Sequence, residues 1–194
     1  MSRLTIFSHL AKPFEYLYIK GISGKSAYDW GAPLALTLLT FLFFFMQDVK
    51  PATLFIDGGF IKSIVSFISN LPGFYIAALA AIATFNRAEI DLPLISNTKK
   101  ASIEIKVTKS NGKVENSEEI LTRRLFLCML FSFLTALSIV IIMLNAFISP
   151  LTAIYTNDYF LAGYALIFTF GTWQLLVSTF FGLYYLGNRI HLNY

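Results

Sequence analysis

The hydrophobic positions of this chain gather into four long runs, residues 30–46, 64–85, 125–147 and 159–186, with polar residues dominating between them. Each run approaches or exceeds the roughly 17–25 apolar residues needed to cross a hydrocarbon core about 30 Å thick. The pattern predicts an all-α integral membrane protein with four transmembrane helices. The second run needs a choice, because Ile61, Ile64, Ile68 and Leu71 form one apolar face just before Pro72-Gly73. The stretch from Gly73 to Phe85 is too short to cross alone. A single span beginning near Ile64 and kinked at Pro72 is favoured over an external interfacial helix followed by a span. The remaining segments are a lead of residues 1–29, an external loop 47–63, a long middle loop 86–124, a short external loop 148–158 and a tail 187–194. Pro150 is the expected breaker in 148–158, leaving the third and fourth spans as a tight antiparallel pair.

The polar segments carry shorter periodicities. Leu4, Phe7, Ala11 and Phe14 recur at helical spacing, with Leu17 and Tyr18 continuing the stripe past Pro13. This predicts an interfacial amphipathic helix, with Lys12 and Lys20 within reach of lipid headgroups; a loosely ordered tail is the alternative. In the middle loop, Ser102-Ile103-Glu104-Ile105-Lys106-Val107-Thr108 alternates with period two, and Ser110-Asn111-Gly112-Lys113 supplies a turn. Together they predict a small β-hairpin between the second and third spans. An isolated hairpin is marginal in water, so it must dock on the N-terminal segment, a neighbouring subunit or a partner protein. Asn116 or Ser117 is then expected to cap a helix, with Glu119 completing a capping box. That helix would run into the third span, with Arg123 and Arg124 at the headgroup level.

Charge sets the expected orientation. Of the 15 Lys and Arg residues, only Lys50 and Lys62 fall in the loops assigned to the outside. The excess of basic residues in the other segments predicts that both termini and the hairpin-bearing loop face the cytoplasm. The net charge of +4 is not a nucleic-acid signature. Within 86–124 the acids Glu89, Asp91, Glu104, Glu115, Glu118 and Glu119 nearly balance the bases, so no direct nucleic-acid binding is expected. Composition agrees with the spans, at 56% hydrophobic and 13% charged residues with 20 Phe and 10 Tyr. The 86–124 loop is about the smallest length that folds alone, which leaves no room for a separate soluble domain. The single Cys128 excludes a disulfide framework and reads as a buried structural thiol. The lead lacks the pattern of a cleavable signal peptide, so the first span is expected to act as an uncleaved anchor.

Candidate chemistry is sparse. Gly24-Lys25-Ser26 resembles the end of a phosphate-binding loop, but the position of the required first glycine is Ile19 and no strand precedes it. His9 and His191 have no acid or cysteine at metal-ligand spacing. None of the four apolar runs holds a His, Asp, Glu, Lys or Arg, which argues against an enzyme and against an ion-coupled transporter. No catalytic residue, metal or cofactor is expected. Asn70, Asn145 and Gln174 are neutral amides of the kind that bond between helices. Helix-packing candidates are Gly73, Ala77 and Ala81 on the second run, and Gln174, Ser178 and Gly182 on the fourth. Small residues at four-residue spacing let helices approach closely, within one chain or between subunits, and a homo-oligomer is expected because four thin spans enclose no cavity alone.

Size, four spans, the polar lead before Trp30 and the hairpin-bearing stretch 101–114 together resemble the membrane component (KwaA) of bacterial Kiwa anti-phage defence systems. The resemblance covers the whole chain and rests on general pattern, with no diagnostic motif. It implies an oligomer in the bacterial inner membrane that senses infection at the envelope and works with a cytoplasmic DNA-binding partner of the KwaB type. The hairpin loop, through Lys99, Lys100, Lys106, Lys109, Asn111, Gly112 and Lys113, and the N-terminal segment would form the docking surface. Rival readings are an oligomeric channel or holin-like pore, an accessory subunit of a membrane transporter or envelope enzyme, and a superinfection-exclusion protein acting alone.

Overall fold

The computed structural model describes residues 9–84, 88–96, 99–108, 114–154 and 157–189. Four helical segments, Ala27–Met46, Pro51–Thr84, Arg123–Thr152 and Asp158–Gly187, are long and apolar enough to cross a membrane. Exposed Leu38, Phe45, Phe74, Phe147, Ile167 and Phe180 sit on their outer surfaces, where a bilayer rather than water would meet them.

The chain enters through a 3-10 helix, Lys12–Tyr18, with Pro13 in its first turn. It then turns through Gly21 and Gly24, both at positive φ, into a π-helical turn, Ala27–Gly31. This turn continues as α1 (Ala32–Met46). After a second 3-10 helix, Pro51–Phe55, come α2 (Phe60–Ile68) and α3 (Leu71–Thr84). Two short ribbons follow: β1 (Ile95–Ser96) pairs with β2 (Lys99–Lys100), and β3 (Ser102–Thr108) pairs with β4 (Val114–Ile120), both antiparallel. Last are α4 (Arg123–Ile154) and α5 (Asp158–Tyr184), the latter ending in a π turn, Tyr185–Arg189.

The main packing pairs α1 with α5, α5 with α4, and α4 with α3, so the spans lie in the order first, fourth, third, second. The core sits between α4 and α5, where Leu127, Leu130, Leu134, Leu137, Ala165, Phe168 and Leu175 are buried. Polar side chains tie the outer helices to this pair and the two members of the pair to each other. Trp173 Nε1 donates to Thr40 Oγ1 at 3.0 Å, Tyr75 Oη meets Thr179 Oγ1 at 2.6 Å, and Tyr164 Oη donates to Asn145 Oδ1 at 3.2 Å. Tyr16, Phe126, Tyr185 and the base of the hairpin lie together at one end of the bundle, called here the hairpin end.

Several boundaries differ from the sequence expectation. The second span is not kinked at Pro72; the helix breaks at Ser69-Asn70. There the Ser69 hydroxyl bonds the Val65 carbonyl at 2.7 Å and the Asn70 amide bonds the Ser66 carbonyl at 3.1 Å. Pro72 falls in the first turn of α3, where a missing N–H costs nothing. Pro150 does not end the third span either, since α4 runs through it to Ile154. In an apolar setting one lost bond costs less than unwinding a turn and leaving several groups unpaired. Asn157 then caps α5, its Oδ1 accepting from the Tyr159 N–H at 2.9 Å.

The helix expected from Asn116 or Ser117 is absent, because both residues lie in β4, opposite Lys106 and Ile105. Ladder pairing outweighs the local capping signal. The true cap is Thr122, whose Oγ1 accepts from the Leu125 N–H at 3.2 Å. The N-terminal segment is a 3-10 helix docked against α4. Tyr16 stacks on Phe133 with centroids 5.1 Å apart, and Phe14 meets the same ring edge-on. The 3-10 period of three puts Pro13, Tyr16 and Ile19 in line, so Tyr16 is buried and Tyr18 is exposed. Leu4 and Phe7 of the expected stripe lie outside the described residues.

Candidate functional site

Among the described residues, two polar constructions stand out at the hairpin end. The first is the platform that carries the β3–β4 hairpin. Lys20 and Ser102 exchange backbone hydrogen bonds in both directions, at 3.0 and 3.1 Å. Ala101 donates to the Leu94 carbonyl and Leu121 to the Ala101 carbonyl, both at 2.9 Å, while Leu94 donates to the Leu121 carbonyl at 2.8 Å. Two separate chain segments, at Lys20 and at Leu94, therefore close on the base of one ribbon, and Ile19, Leu94, Ala101, Ile103 and Leu121 are buried there. This arrangement answers the marginal stability of a lone hairpin. Register sets Ile103, Ile105 and Val107 opposite Glu119, Ser117 and Glu115.

Arg124 fastens the platform to the second span. Its Nε and Nη2 bind Asp91 Oδ1 and Oδ2 at 2.6 and 2.9 Å. Its Nη1 donates to the carbonyls of Ile82 and Ala83, each at 3.1 Å, in the last turn of α3. A cation on the unpaired carbonyls of a helix C-terminus complements the helix dipole. The guanidinium hydrogen bond holds the Asp91 carboxyl below the usual carboxylate range.

The second construction is a buried ionic node. Lys25 Nζ forms an ion pair with Asp29 Oδ2, one helical turn away, and the two residues are 6% and 1% exposed. Tyr16 Oη donates to Asp29 Oδ1 at 3.2 Å, and the Lys25 ammonium lies 4.2 Å from the centre of the Tyr16 ring. Burial, then the neighbouring Asp29 charge, raises the Tyr16 phenol well above its usual range, so it remains a donor. The backbone of Asp29 has its own problem. Pro33, four residues on, has no N–H to offer the Asp29 carbonyl. Gln174 Nε2 from α5 supplies the bond at 3.0 Å. A π turn beside a proline, a buried ion pair and an interhelical amide thus form one unit.

Neither the node nor the clamp is evident from the sequence, where Asp29 falls in the polar lead and Arg124 is expected at the headgroups. The signal for the node was the four-residue spacing of Lys25 and Asp29 beside Pro33. Of the small-residue candidates, Ser178 and Gly182 are buried, Gly182 next to Leu130 of α4, whereas Gly73, Ala77 and Ala81 are exposed. Gln174 bonds across to the first span. Of the docking candidates, Lys99, Lys100 and Lys106 lie in strands, while Lys109, Asn111, Gly112 and Lys113 lie outside the described residues, as does His191. Cys128 is half-buried rather than enclosed, and lines a groove between the N-terminal segment and α4. Among the described residues no group of three or more His, Cys, Asp or Glu could hold a metal ion.

Comparison with family models, with curated proteins and with solved structures finds no match for this chain.

Proposed function

We propose that this protein is an inner-membrane sensor or anchor subunit of an anti-phage defence complex, which recruits or activates a cytoplasmic DNA-binding partner through its hairpin. The observation that supports the reading most is the anchoring of β3–β4. The ribbon base is bonded to two other chain segments and clamped through Arg124 to the second span, so a load on the ribbon would be felt by the helices. A loop that only joined two spans would not need such a base. The excess of basic residues on this side supports a cytoplasmic placement. The mixed charge of the 86–124 loop suits a protein surface better than a nucleic acid, which leaves DNA contact to the partner.

Replacing residues 103–119 with a flexible linker should abolish pull-down of the cytoplasmic partner while membrane insertion is retained. Unchanged pull-down would sink the proposal. Ion flux through reconstituted liposomes, independent of the hairpin, would favour the pore instead.

A further inference from the structure

A groove of about 480 Å³ lies where the N-terminal segment, the hairpin base and the start of α4 meet. Its floor is apolar and half-buried to buried: Pro13, Ile103, Leu125, Cys128 and Met129. Its rim carries His9 and Lys12 as donors and Glu15 and Glu119 as acceptors, all four exposed. The volume falls in the range of about 300–1,000 Å³ typical of small-molecule sites. Leu125, Met129 and Ser132 extend the groove along α4 for about 10 Å at 1.5 Å per residue. It therefore runs from the polar entrance of a membrane-crossing helix toward its apolar part.

We propose that this groove binds one zwitterionic aminophospholipid of the phosphatidylethanolamine class, headgroup at the rim and upper acyl chain along the floor. The rim has both signs of charge, which matches a headgroup with both. The phosphate takes hydrogen bonds from Lys12 and His9, and the primary ammonium donates to Glu15 and Glu119. An anionic headgroup would meet the two carboxylates with no group to satisfy them. A choline headgroup has no N–H to donate, and among the described residues no Phe, Tyr or Trp lines the groove to receive it by cation–π contact. The apolar floor beyond the rim selects a lipid over a soluble phosphoethanolamine. Because Ile103 and Glu119 are directly paired across the hairpin, a lipid here touches both strands at the ribbon base.

The test is native mass spectrometry of the full chain in mild detergent, offered equal amounts of phosphatidylethanolamine, phosphatidylcholine and phosphatidylglycerol with identical acyl chains. One phosphatidylethanolamine adduct should persist as detergent lipids are stripped. The double variant Glu15→Gln/Glu119→Gln, isosteric and on the surface, should lower its retention about tenfold through loss of the charge-assisted bonds. Met129→Trp, which fills the floor, should remove the adduct by a different route. Excess glycerophosphoethanolamine should not displace the bound lipid. Equal retention of phosphatidylcholine, preferential retention of phosphatidylglycerol, or an unchanged adduct in both variants would each overturn the proposal. Displacement by the soluble headgroup would overturn the lipid as its source.

Discussion

Among the described residues, two ion pairs at the hairpin end do different work because of where they lie. Lys25 and Asp29 are almost completely enclosed, one turn apart on the same helix, with Tyr16 and Gln174 closing the remaining polar groups. Arg124 and Asp91 are 33 residues apart in sequence and lie at the surface, with side chains 23% and 55% exposed. Water screens the second pair, so most of its value lies in geometry: a planar fork fixed to a carboxylate and to two helix-end carbonyls at once. The first pair has no such shelter. Each charge is tolerable only because the other is present, since desolvation of a lone buried ion costs several kcal/mol. The contrast separates a part that must be complete to fold from a part that orients.

Breaking the enclosed pair should give the largest effect. Asp29→Ala leaves Lys25 buried without a counter-charge and should cost about 3–5 kcal/mol. In detergent this would be read as a large drop in melting temperature, or as loss of folded material. The triple substitution Lys25→Met/Asp29→Leu/Tyr16→Phe removes both charges and the Tyr16 hydroxyl while keeping the Gln174 bond to the backbone, and should return stability close to the starting value. A triple variant as unstable as Asp29→Ala would show that the pair itself, and not its completeness, is what matters. Gln174→Leu should come next, at about 1–3 kcal/mol, because it orphans the Asp29 carbonyl. In a Pro33→Ala background, where a helical N–H becomes available to that carbonyl, the same change should cost distinctly less.

The two pairs also mark where sequence reading stops. The four spans were legible because composition alone decides them, and the hairpin because period two and an Asn-Gly turn are local signals. The node was not. Its carboxylate stands one residue before the apolar run that begins at Trp30, so counting apolar residues left it outside. Its partners Tyr16 and Gln174 are 13 and 145 positions away. The break at Ser69-Asn70 was misplaced onto Pro72 because proline is the louder signal, although a proline in a first turn is harmless. The Asn116–Glu119 capping pattern was a sound local motif, overridden by pairing with residues of β3. The lipid groove is assembled from three segments, so no single stretch announces it.

For the exposed pair the effect should be smaller and should depend on pH. Arg124→Ala frees the end of α3 from the platform and should lower the melting temperature by less than Gln174→Leu. Arg124 holds the Asp91 carboxyl below its usual range. Its contribution is therefore complete above about pH 4, where an unfolded aspartate is already ionised. It is lost as acid carries the pH down through the lower value of the folded state. Melting curves should then show the difference between the original chain and Asp91→Asn at neutral pH and lose it in strong acid. A difference that persists unchanged to the lowest pH reached would assign the effect to shape rather than charge.

The same contrast between enclosed and open positions survives without charge, in two glycines. A Cβ on Gly182 would lie 3.0 Å from Leu130 Cδ2, and Leu130 is fully buried and has nowhere to retreat. Overpacking costs about 1–3 kcal/mol, against a gain of about 1 kcal/mol in helix propensity, so Gly182→Ala should destabilise modestly. Gly73 has no neighbour within 4 Å of an added Cβ. There only the propensity gain remains, and Gly73→Ala should be neutral or stabilise by up to about 1 kcal/mol. The two substitutions are chemically identical, so opposite signs in one detergent melt would isolate the packing environment as their cause. A loss of stability at Gly73 as well would mean that another protein surface covers the Gly73, Ala77 and Ala81 face. The spacing of small residues would then serve contact between chains on the second span and contact within the chain on the fourth.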